Sequence, residues 1–261
     1  MNVLDLFSGI GGFSLGLERA GMRTVAFCEI EPYCRAVLAK HWPGVSCYTD
    51  IRELTADRLV ADGIRPDVIC GGFPCQDISV AGKNAGIEGE RSGLWREYSR
   101  LIGEIRPRYV IMENVSALLA RGLGEVLGEL AALGYDAQWH CIPASHIGAP
   151  HRRDRIWIVA YPNGSREPQS GWGELAERGR VEHGSKEMAD ATGSRLEGWK
   201  QSKATRPTLG SPRDNGWWSV EPDVGRVAHG VSSRVDRLKC LGNAVIPQIP
   251  EIIGRAIMSS I

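Results

Sequence analysis

The amino-acid sequence predicts an α/β fold with a Rossmann-like, mostly parallel sheet and helices on both of its faces. Short apolar runs alternate along the chain with segments of helical spacing, which is typical of such sheets. Glycine or acidic residues follow several of these runs, and ligands bind at the strand ends in this class of fold. Hydrophobic residues make up 43% of the 261 residues, which is enough to form one large core.

Five strands and three helices are predicted in the first 160 residues. A strand at residues 2–7 leads through a glycine-rich turn at residues 8–12 into a helix at residues 13–20. The other predicted strands are residues 24–28, 68–70, 109–112 and 155–160, and the other predicted helices are residues 32–41 and 116–133. Because parallel strands end at the same edge of a sheet, the residues that follow them are expected to lie close together.

The composition divides the chain into three parts. Residues 1–160 carry the alternating pattern and form the predicted main domain. Residues 161–237 are rich in Gly, Ser, Arg, Glu and Trp, which predicts a small irregular region or a linker. Apolar patterning returns at residues 238–261, so this final segment is expected to rejoin the main core.

The charge of the chain is balanced overall but unevenly distributed. A net charge of zero argues against a simple nucleic-acid-binding module. Residues 1–150 carry 14 Lys/Arg and 18 Asp/Glu, whereas residues 151–240 carry 16 and 12. The basic excess in the second half could hold a polyanion, although an imbalance of this size also arises by chance.

Seven cysteines without a Cys-x-x-Cys pair argue against a disulfide framework and against a zinc site. We therefore expect no bound metal, and we expect most cysteines to be small buried hydrophobic residues. No apolar stretch approaches the roughly 18 to 20 residues that span a bilayer. The N-terminus lacks the basic start of a signal peptide. A soluble cytoplasmic protein without membrane contact is the expectation.

A nucleoside-binding site is predicted at the first strand, turn and helix. The glycine-rich turn places backbone N–H groups at a helix N-terminus. Glu29 ends the next predicted strand, 20 residues after Gly9, where a carboxylate can bind ribose hydroxyls. Asp50 could accept a hydrogen bond from an adenine amino group. The turn lacks the Gly-x-Gly-x-x-Gly pattern, so adenosine with a methionine tail fits as well as a dinucleotide, and an ordinary tight turn is the alternative.

Cys75 differs from the other cysteines in its position. It follows Gly71-Gly72-Phe-Pro, where the chain leaves a predicted strand, and reactive residues of α/β folds occupy such positions. Residues 76–93 contain four glycines, at positions 82, 86, 89 and 93, which favours a mobile loop that closes over a substrate. The position therefore indicates a nucleophile rather than a core residue.

Five motifs in order resemble the signature motifs of the C5-cytosine DNA methyltransferases, over about residues 1–160 and 238–257. They are Asp5-Leu-Phe-Ser-Gly-Ile-Gly-Gly-Phe13, Gly72-Phe-Pro-Cys-Gln76, Glu113-Asn-Val115, Arg152-Arg-Asp-Arg155, and Gly242-Asn-Ala-Val245 followed by Pro247. The resemblance implies the fold of S-adenosylmethionine-dependent methyltransferases. It also implies methyl transfer from S-adenosyl-L-methionine to carbon 5 of cytosine in double-stranded DNA.

The resemblance assigns catalytic roles to four residues. Cys75 would attack carbon 6 of a cytosine flipped out of the duplex, which makes carbon 5 nucleophilic. Glu113 would contact N3 and the exocyclic amino group of the base. Arg153 and Arg155 would hold the base and a neighbouring phosphate.

The resemblance also assigns binding residues. The cofactor would be held by Phe7, Gly9, Gly11, Gly12, Glu29, Ile30, Asp50, Pro74, Asn243, Ala244 and Val245. DNA would be contacted by Gln76, Ser79, Lys83, Arg91 and Arg226. Residues 1–160 would be the catalytic and cofactor-binding domain, residues 161–237 the target-recognition region, and residues 238–261 a segment that returns to the catalytic domain.

The sequence departs from the family pattern at several points. Ile30 stands where many relatives carry an aromatic residue against adenine, and His151 stands where Gln is usual. The target-recognition region is short. Methylation of RNA is one alternative, and the Cys-Phe-Thr element that distinguishes the RNA branch of the family is not evident here. A non-catalytic DNA-binding scaffold is another, against which the intact Cys75, Glu113, Arg153 and Arg155 argue. A nucleoside-binding dehydrogenase would not require the Pro-Cys loop or the C-terminal Gly-Asn segment. We expect a monomer, and a cognate restriction endonuclease is a candidate partner.

Overall fold

The computed structural model of the protein describes residues 1–74, 93–165 and 240–261, and a seven-stranded sheet forms its centre. The strands are β1 (Asn2–Leu6), β2 (Arg23–Cys28), β3 (Ser46–Tyr48), β4 (Val68–Gly71), β5 (Tyr109–Val115), β6 (Tyr135–Pro143) and β7 (Asp154–Pro162). The helices are α1 (Gly12–Arg19), α2 (Pro32–His41), α3 (Ala56–Ala61), α4 (Gly93–Ile105), α5 (Leu118–Arg121), α6 (Leu123–Ala132) and α7 (Gln248–Met258), with a 3-10 turn at Ala144–Ile147.

The strand order is β3-β2-β1-β4-β5-β7-β6. Strands β1 to β5 run parallel to one another, while β7 runs antiparallel to both β5 and β6. The predicted fold class, a mostly parallel sheet with helices, is therefore confirmed. The strand order reverses at β1, and in such sheets the crevice at that point receives ligands.

Helices cover both faces of the sheet because alternate strand residues point to opposite sides. Leu4 and Leu6 of β1 belong to a core that buries side chains of α3, α4 and α6. Val3 faces the other side, where Phe13 and Leu17 of α1 pack with apolar residues of α7. The C-terminal helix is therefore part of the same core as the first strand. None of the described helices is long and apolar enough to cross a membrane.

The structure differs from the predicted elements in two places. Strand β5 continues past Met112 to Val115, because Glu113 and Val115 pair with Trp157 and Arg155 of β7. The predicted helix at residues 116–133 is divided into α5 and α6 at Gly122, whose φ of −174° is extended rather than helical. The structure also adds β3, α3, α4, β6 and α7, which were not predicted as helices or strands.

Candidate functional site

A cavity of about 260 Å³ lies beyond the carboxyl ends of β1, β2 and β4. Its walls are formed by Phe7, Cys28, Ile30, Thr49, Asp50, Ile51, Arg52, Pro74, Gly93, Leu94 and Glu97. Apolar groups dominate this lining, and two carboxylates and one guanidinium lie at its edge. Such a combination suits a small ligand with one aromatic part and a few polar groups.

An aromatic cluster packs against Phe7, one of the residues that line the cavity. The ring of Phe7 stacks on Tyr98 at a centroid distance of 6.3 Å, and Phe73 lies 5.0 Å from Trp95. Tyr98 and Trp95 are also stacked on each other. Helix α4 supplies both of these large side chains, so its amphipathic face sets the position of the segments that end β1 and β4.

The turn after β1 needs glycine for conformational reasons. Gly9 and Gly11 have positive φ angles of 53° and 86°, a region that glycine enters at little cost. Phe7, just before them, is a non-glycine residue with a φ of 52°. The turn is connected to the next strand by Glu29. Its Oε2 accepts a hydrogen bond from the Gly9 N–H at 2.7 Å, and its Oε1 accepts one from the Glu31 N–H at 2.8 Å. Each carboxylate oxygen keeps a lone pair for a ligand hydroxyl.

Gly12 serves a packing role that the sequence did not reveal. A Cβ atom at this position would lie 2.5 Å from the carbonyl oxygen of Val245 and 3.0 Å from its Cβ. The C-terminal segment therefore rests directly on the first turn of α1. Asn243, Ala244 and Val245, which the resemblance assigned to the cofactor, are not among the residues that line the cavity.

We expect Gly12→Ala to lower the free energy of unfolding by about 1–3 kcal/mol, because the added methyl group overlaps Val245. Urea unfolding followed by circular dichroism measures the change. Gly128→Ala in α6 is the matched control, because its Cβ meets no atom within 4 Å, and it should be neutral or gain up to about 1 kcal/mol. Equal stability of Gly12→Ala and the natural protein would contradict the contact.

Asp5 is a fully buried acid beneath the glycine-rich turn. Its Oδ2 accepts hydrogen bonds from the Ser14 hydroxyl at 2.7 Å and from the Ser14 N–H at 3.3 Å, which fastens α1 to β1. Burial raises the pKa of Asp5 from 3.8 to about 7, against the lowering effect of the Ser14 hydrogen bonds. Neither Asp5 nor Ser14 was assigned a role from the sequence.

Asp5 makes folding dependent on pH. Its folded-state pKa lies above its ordinary value, so between these two pH values the folded protein holds a proton that the unfolded chain has released. The proton on Asp5 therefore makes its full contribution to the free energy of unfolding below about pH 4. This contribution is lost as the pH rises through about 7. We expect Asp5→Asn to gain stability relative to the natural protein by up to about 4 kcal/mol over this range. Denaturant unfolding at several pH values tests this, and parallel pH profiles of the two proteins would be the contrary result.

Asp50 is held by Arg52 at the rim of the cavity. The Nε of Arg52 lies 3.0 Å from both carboxylate oxygens, and its Nη2 lies 2.5 Å from Oδ2. The Arg52 hydrogen bond lowers the pKa of Asp50, so the group stays ionised as an acceptor. Ile30, beside it, is 59% exposed and offers an aliphatic wall to a ligand.

The segment that leads to Cys75 is anchored by Asn114. The buried Asn114 amide donates a hydrogen bond from Nδ2 to the Phe73 carbonyl at 3.0 Å and accepts one from the Val115 N–H at 2.8 Å. Gly72 permits a close approach to Glu113, because a Cβ at this position would lie 3.0 Å from the Glu113 carboxylate. The chain thus leaves β4 directly beside the end of β5.

Glu113 and Arg155 form an ion pair at this edge, with Nε and Oε1 2.8 Å apart and side chains that are 13% and 24% exposed. They meet because Glu113 is paired with Trp157, and Arg155 lies two residues away on the same face of β7. Burial raises the pKa of Glu113 from its ordinary value, although both Arg155 and Arg153 act to lower it. Burial and Arg155 lower the pKa of Arg153.

Arg153 connects this ion pair to the C-terminal segment. It lies just before β7 with a φ of 36°, and its Nη2 donates a hydrogen bond to the Ala244 carbonyl at 2.9 Å. The structure therefore brings Glu113, Arg153 and Arg155 together beside Gly72. Cys75, Gln76, Ser79, Lys83, Arg91 and Arg226 lie outside the described residues, and their assigned roles stay predictions.

The strand order, the antiparallel β7 and a cavity of nucleoside size at the strand ends define the α/β fold of the S-adenosylmethionine-dependent methyltransferases. The profile of the family described as C-5 cytosine-specific DNA methylase matches residues 1–207. The chain belongs to this family.

Individual relatives are consistent with this membership. The chain is 39% identical over 168 residues to the type II methyltransferase M2.BsuMI of Bacillus subtilis, a match that covers 61% of this chain and 42% of the relative. It is 32% identical over 235 residues to M.Eco47II of Escherichia coli, which covers 85% and 55%. The chain thus spans about half the length of these curated relatives.

A solved structure shows the same architecture. A protein described as a DNA modification methyltransferase encoded within a prophage of E. coli superimposes with a TM-score of 0.54 at 28% identity. The superposition covers 62% of this chain and 47% of that chain.

Proposed function

We propose that this protein transfers a methyl group from S-adenosyl-L-methionine to carbon 5 of cytosine in double-stranded DNA, through a covalent bond between Cys75 and carbon 6 of a flipped-out base. One observation carries the proposal. Glu113, Arg153 and Arg155 meet beside the segment that leads to Cys75, at the same sheet edge as the nucleoside-sized cavity.

The residues around the cavity fit the adenosine part of the cofactor. Phe7 and Ile30 provide apolar walls for a purine, and Asp50 provides an ionised acceptor for its amino group. Glu29 is buried at the end of β2 and presents a carboxylate to ribose hydroxyls. When bound, S-adenosyl-L-methionine supplies an electrophilic methyl group on a sulfonium.

The chemistry at the base requires a nucleophile because carbon 5 of cytosine does not attack a methyl group by itself. Addition of the Cys75 sulfur to carbon 6 turns the ring into an enamine, and carbon 5 becomes the nucleophile. The thiolate is the reacting form, and nearby positive charge favours it. Arg153 and Arg155 bring two guanidinium groups to the edge where the chain approaches Cys75.

Glu113 is suited to stabilise the attacked ring. Addition at carbon 6 places negative charge on N3, and a protonated carboxyl group can donate a hydrogen bond or a proton there. The raised pKa of Glu113 makes this protonated form more accessible near neutral pH. Arg155 holds one oxygen of the carboxyl group, which leaves the other to face the base. Loss of the carbon 5 proton and elimination of Cys75 then release the methylated cytosine.

The target base must leave the duplex, because Cys75 attacks the ring face while Glu113 contacts its edge. Gln76, Ser79, Lys83, Arg91 and Arg226 are the candidate DNA contacts. A cognate restriction endonuclease is proposed as a partner, since the curated relatives are named as type II methyltransferases.

A methyl-incorporation assay tests the proposed function. The full chain is incubated with isotopically labelled S-adenosyl-L-methionine and either duplex DNA or RNA, and the nucleosides are then separated by liquid chromatography against standards methylated at carbon 5 or at the amino group of cytosine. We expect 5-methylcytosine in DNA only. Label in adenine, in the cytosine amino group or in RNA would overturn the proposal, as would an absence of transfer by folded protein that binds the cofactor.

A further inference from the structure

Two cysteines from opposite ends of the chain meet in the core. The Sγ atoms of Cys34 and Cys240 lie 3.0 Å apart although the residues are separated by 206 positions. Cys34 is 4% exposed and Cys240 is 9% exposed. The two sulfurs are therefore close enough to form a bond after a small shift of either side chain.

The pair joins α2 to the C-terminal segment that packs on the first turn of α1. Cys34 lies in the first turn of α2, and its neighbour Arg35 donates hydrogen bonds to the carbonyl oxygens of Glu29 at 3.1 Å and of Ile30 at 2.5 Å. This helix therefore holds the turn that presents the ribose-binding and adenine-facing residues.

Cys240 begins the C-terminal segment at residues 240–245. The same segment accepts the Arg153 hydrogen bond at Ala244 and packs its Val245 against Gly12. The Cys34–Cys240 contact brings the same segment against α2.

We propose that Cys34 and Cys240 form an oxidative modification site, at which a peroxide closes a disulfide that fastens the C-terminal segment to α2 and slows cofactor exchange. One sulfur attacks a peroxide oxygen, the O–O bond breaks, and a sulfenic acid and one water form. The second sulfur then attacks the sulfenic sulfur, the S–O bond breaks, and the S–S bond forms with release of a second water. Two thiols are oxidised, and one hydrogen peroxide is reduced to two waters.

The contact between the C-terminal segment and α2 protects the two thiols from oxidation. Burial and the neighbouring Cys240 raise the pKa of Cys34 well above its ordinary value, and Glu29 and Glu31 act in the same direction. The thiol therefore stays protonated and unreactive while the segment is in place. Oxidation then requires the segment to move away from α2, because both sulfurs are otherwise buried from peroxide.

Peptide mapping of the full chain tests the linkage. The protein is treated with hydrogen peroxide, free thiols are alkylated, and trypsin with a glutamate-specific protease separates Cys28 from Cys34 by cleavage after Glu29. We expect a linked peptide that contains Cys34 and Cys240. Cys34→Ser and Cys240→Ser should lose it, while Cys141→Ser, a half-buried cysteine on β6, should keep it. Alkylation of both residues, or a link from Cys34 to another cysteine, would overturn the proposal.

The rate of product release tests whether the disulfide slows cofactor exchange. This effect rests on the proposed function. We expect S-adenosyl-L-homocysteine to dissociate from the oxidised protein at least about fivefold more slowly than from the reduced protein, with full reversal by dithiothreitol. Equal dissociation rates from the reduced and the disulfide-linked protein would show that the disulfide does not control cofactor exchange. The linkage itself needs no methyl transfer, so a linked protein that methylates nothing would reject the proposed function alone.

Discussion

Replacing Cys75 with alanine is expected to lower the rate of methyl transfer to DNA by more than about 10⁴-fold, because the sulfur that activates the ring is lost. Cys75→Ser should also lose most of the activity, since a hydroxyl group is far less ionised than a thiol at neutral pH. Affinity for S-adenosyl-L-methionine should change little, because the substitution leaves all the described residues that line the cavity in place. Labelled methyl incorporation and equilibrium binding measure the two effects separately.

A mechanism-based probe tests the role of Cys75 by trapping the covalent intermediate between protein and DNA. Duplex DNA with 5-fluorocytosine at target sites should trap a stable adduct in the presence of cofactor, because fluorine cannot leave as a proton does. Cys141→Ser is the control and should form the adduct like the natural protein. A methylating Cys75→Ala variant, or active protein that binds its target without forming an adduct, would show that the nucleophile lies elsewhere.

Glu113→Gln is expected to lower kcat by about 10²–10⁴-fold, the usual range for loss of a general acid. Glutamine fills nearly the same space and keeps a hydrogen-bond donor, but it cannot transfer a proton to N3. The substitution also removes the ionic partner of Arg155. Because Glu113 is not among the residues that line the cavity, KM for S-adenosyl-L-methionine should stay within about threefold, a small change on the free-energy scale.

Steady-state kinetics and the unfolding midpoint together check this prediction. Asp136→Asn is the matched control, because Asp136 is an exposed acid at the other end of the β6–β7 pair and should leave kcat unchanged. A Glu113→Gln variant with normal kcat would remove Glu113 from the reaction. A variant whose activity falls only in proportion to its loss of folded protein would give it a structural role instead.

The fold class followed from the sequence because buried parallel strands are continuous apolar runs with helices between them. The predicted helix at residues 32–41 coincides with α2, where Pro32 begins the helix. Strand β6 was not predicted, because its burial does not alternate and it pairs only with β7 at the edge of the sheet. Helix α4 was also not predicted, although its buried Trp95, Tyr98, Leu101 and Ile102 recur at helical spacing.

The chemical groups of the candidate site could be read from the sequence, but their contacts could not. The sequence predicted that Glu113 follows a strand, whereas it lies within β5 because β7 pairs antiparallel with that strand. This pairing places Arg155 on the same face as Glu113. The roles of Asn114, Arg52 and Asp5 were missed, since nothing in their spacing shows which groups they meet.

The sequence alone determined the order of the motifs, the alternation of strands and helices, and the side chains available for chemistry. These are local properties, set by side-chain chemistry and by the two short periods of strand and helix. The tertiary structure alone decided that Val245 rests on Gly12 and that Cys240 touches Cys34. The physical reason is that sheet order and helix packing, rather than spacing along the chain, set the distances between remote residues.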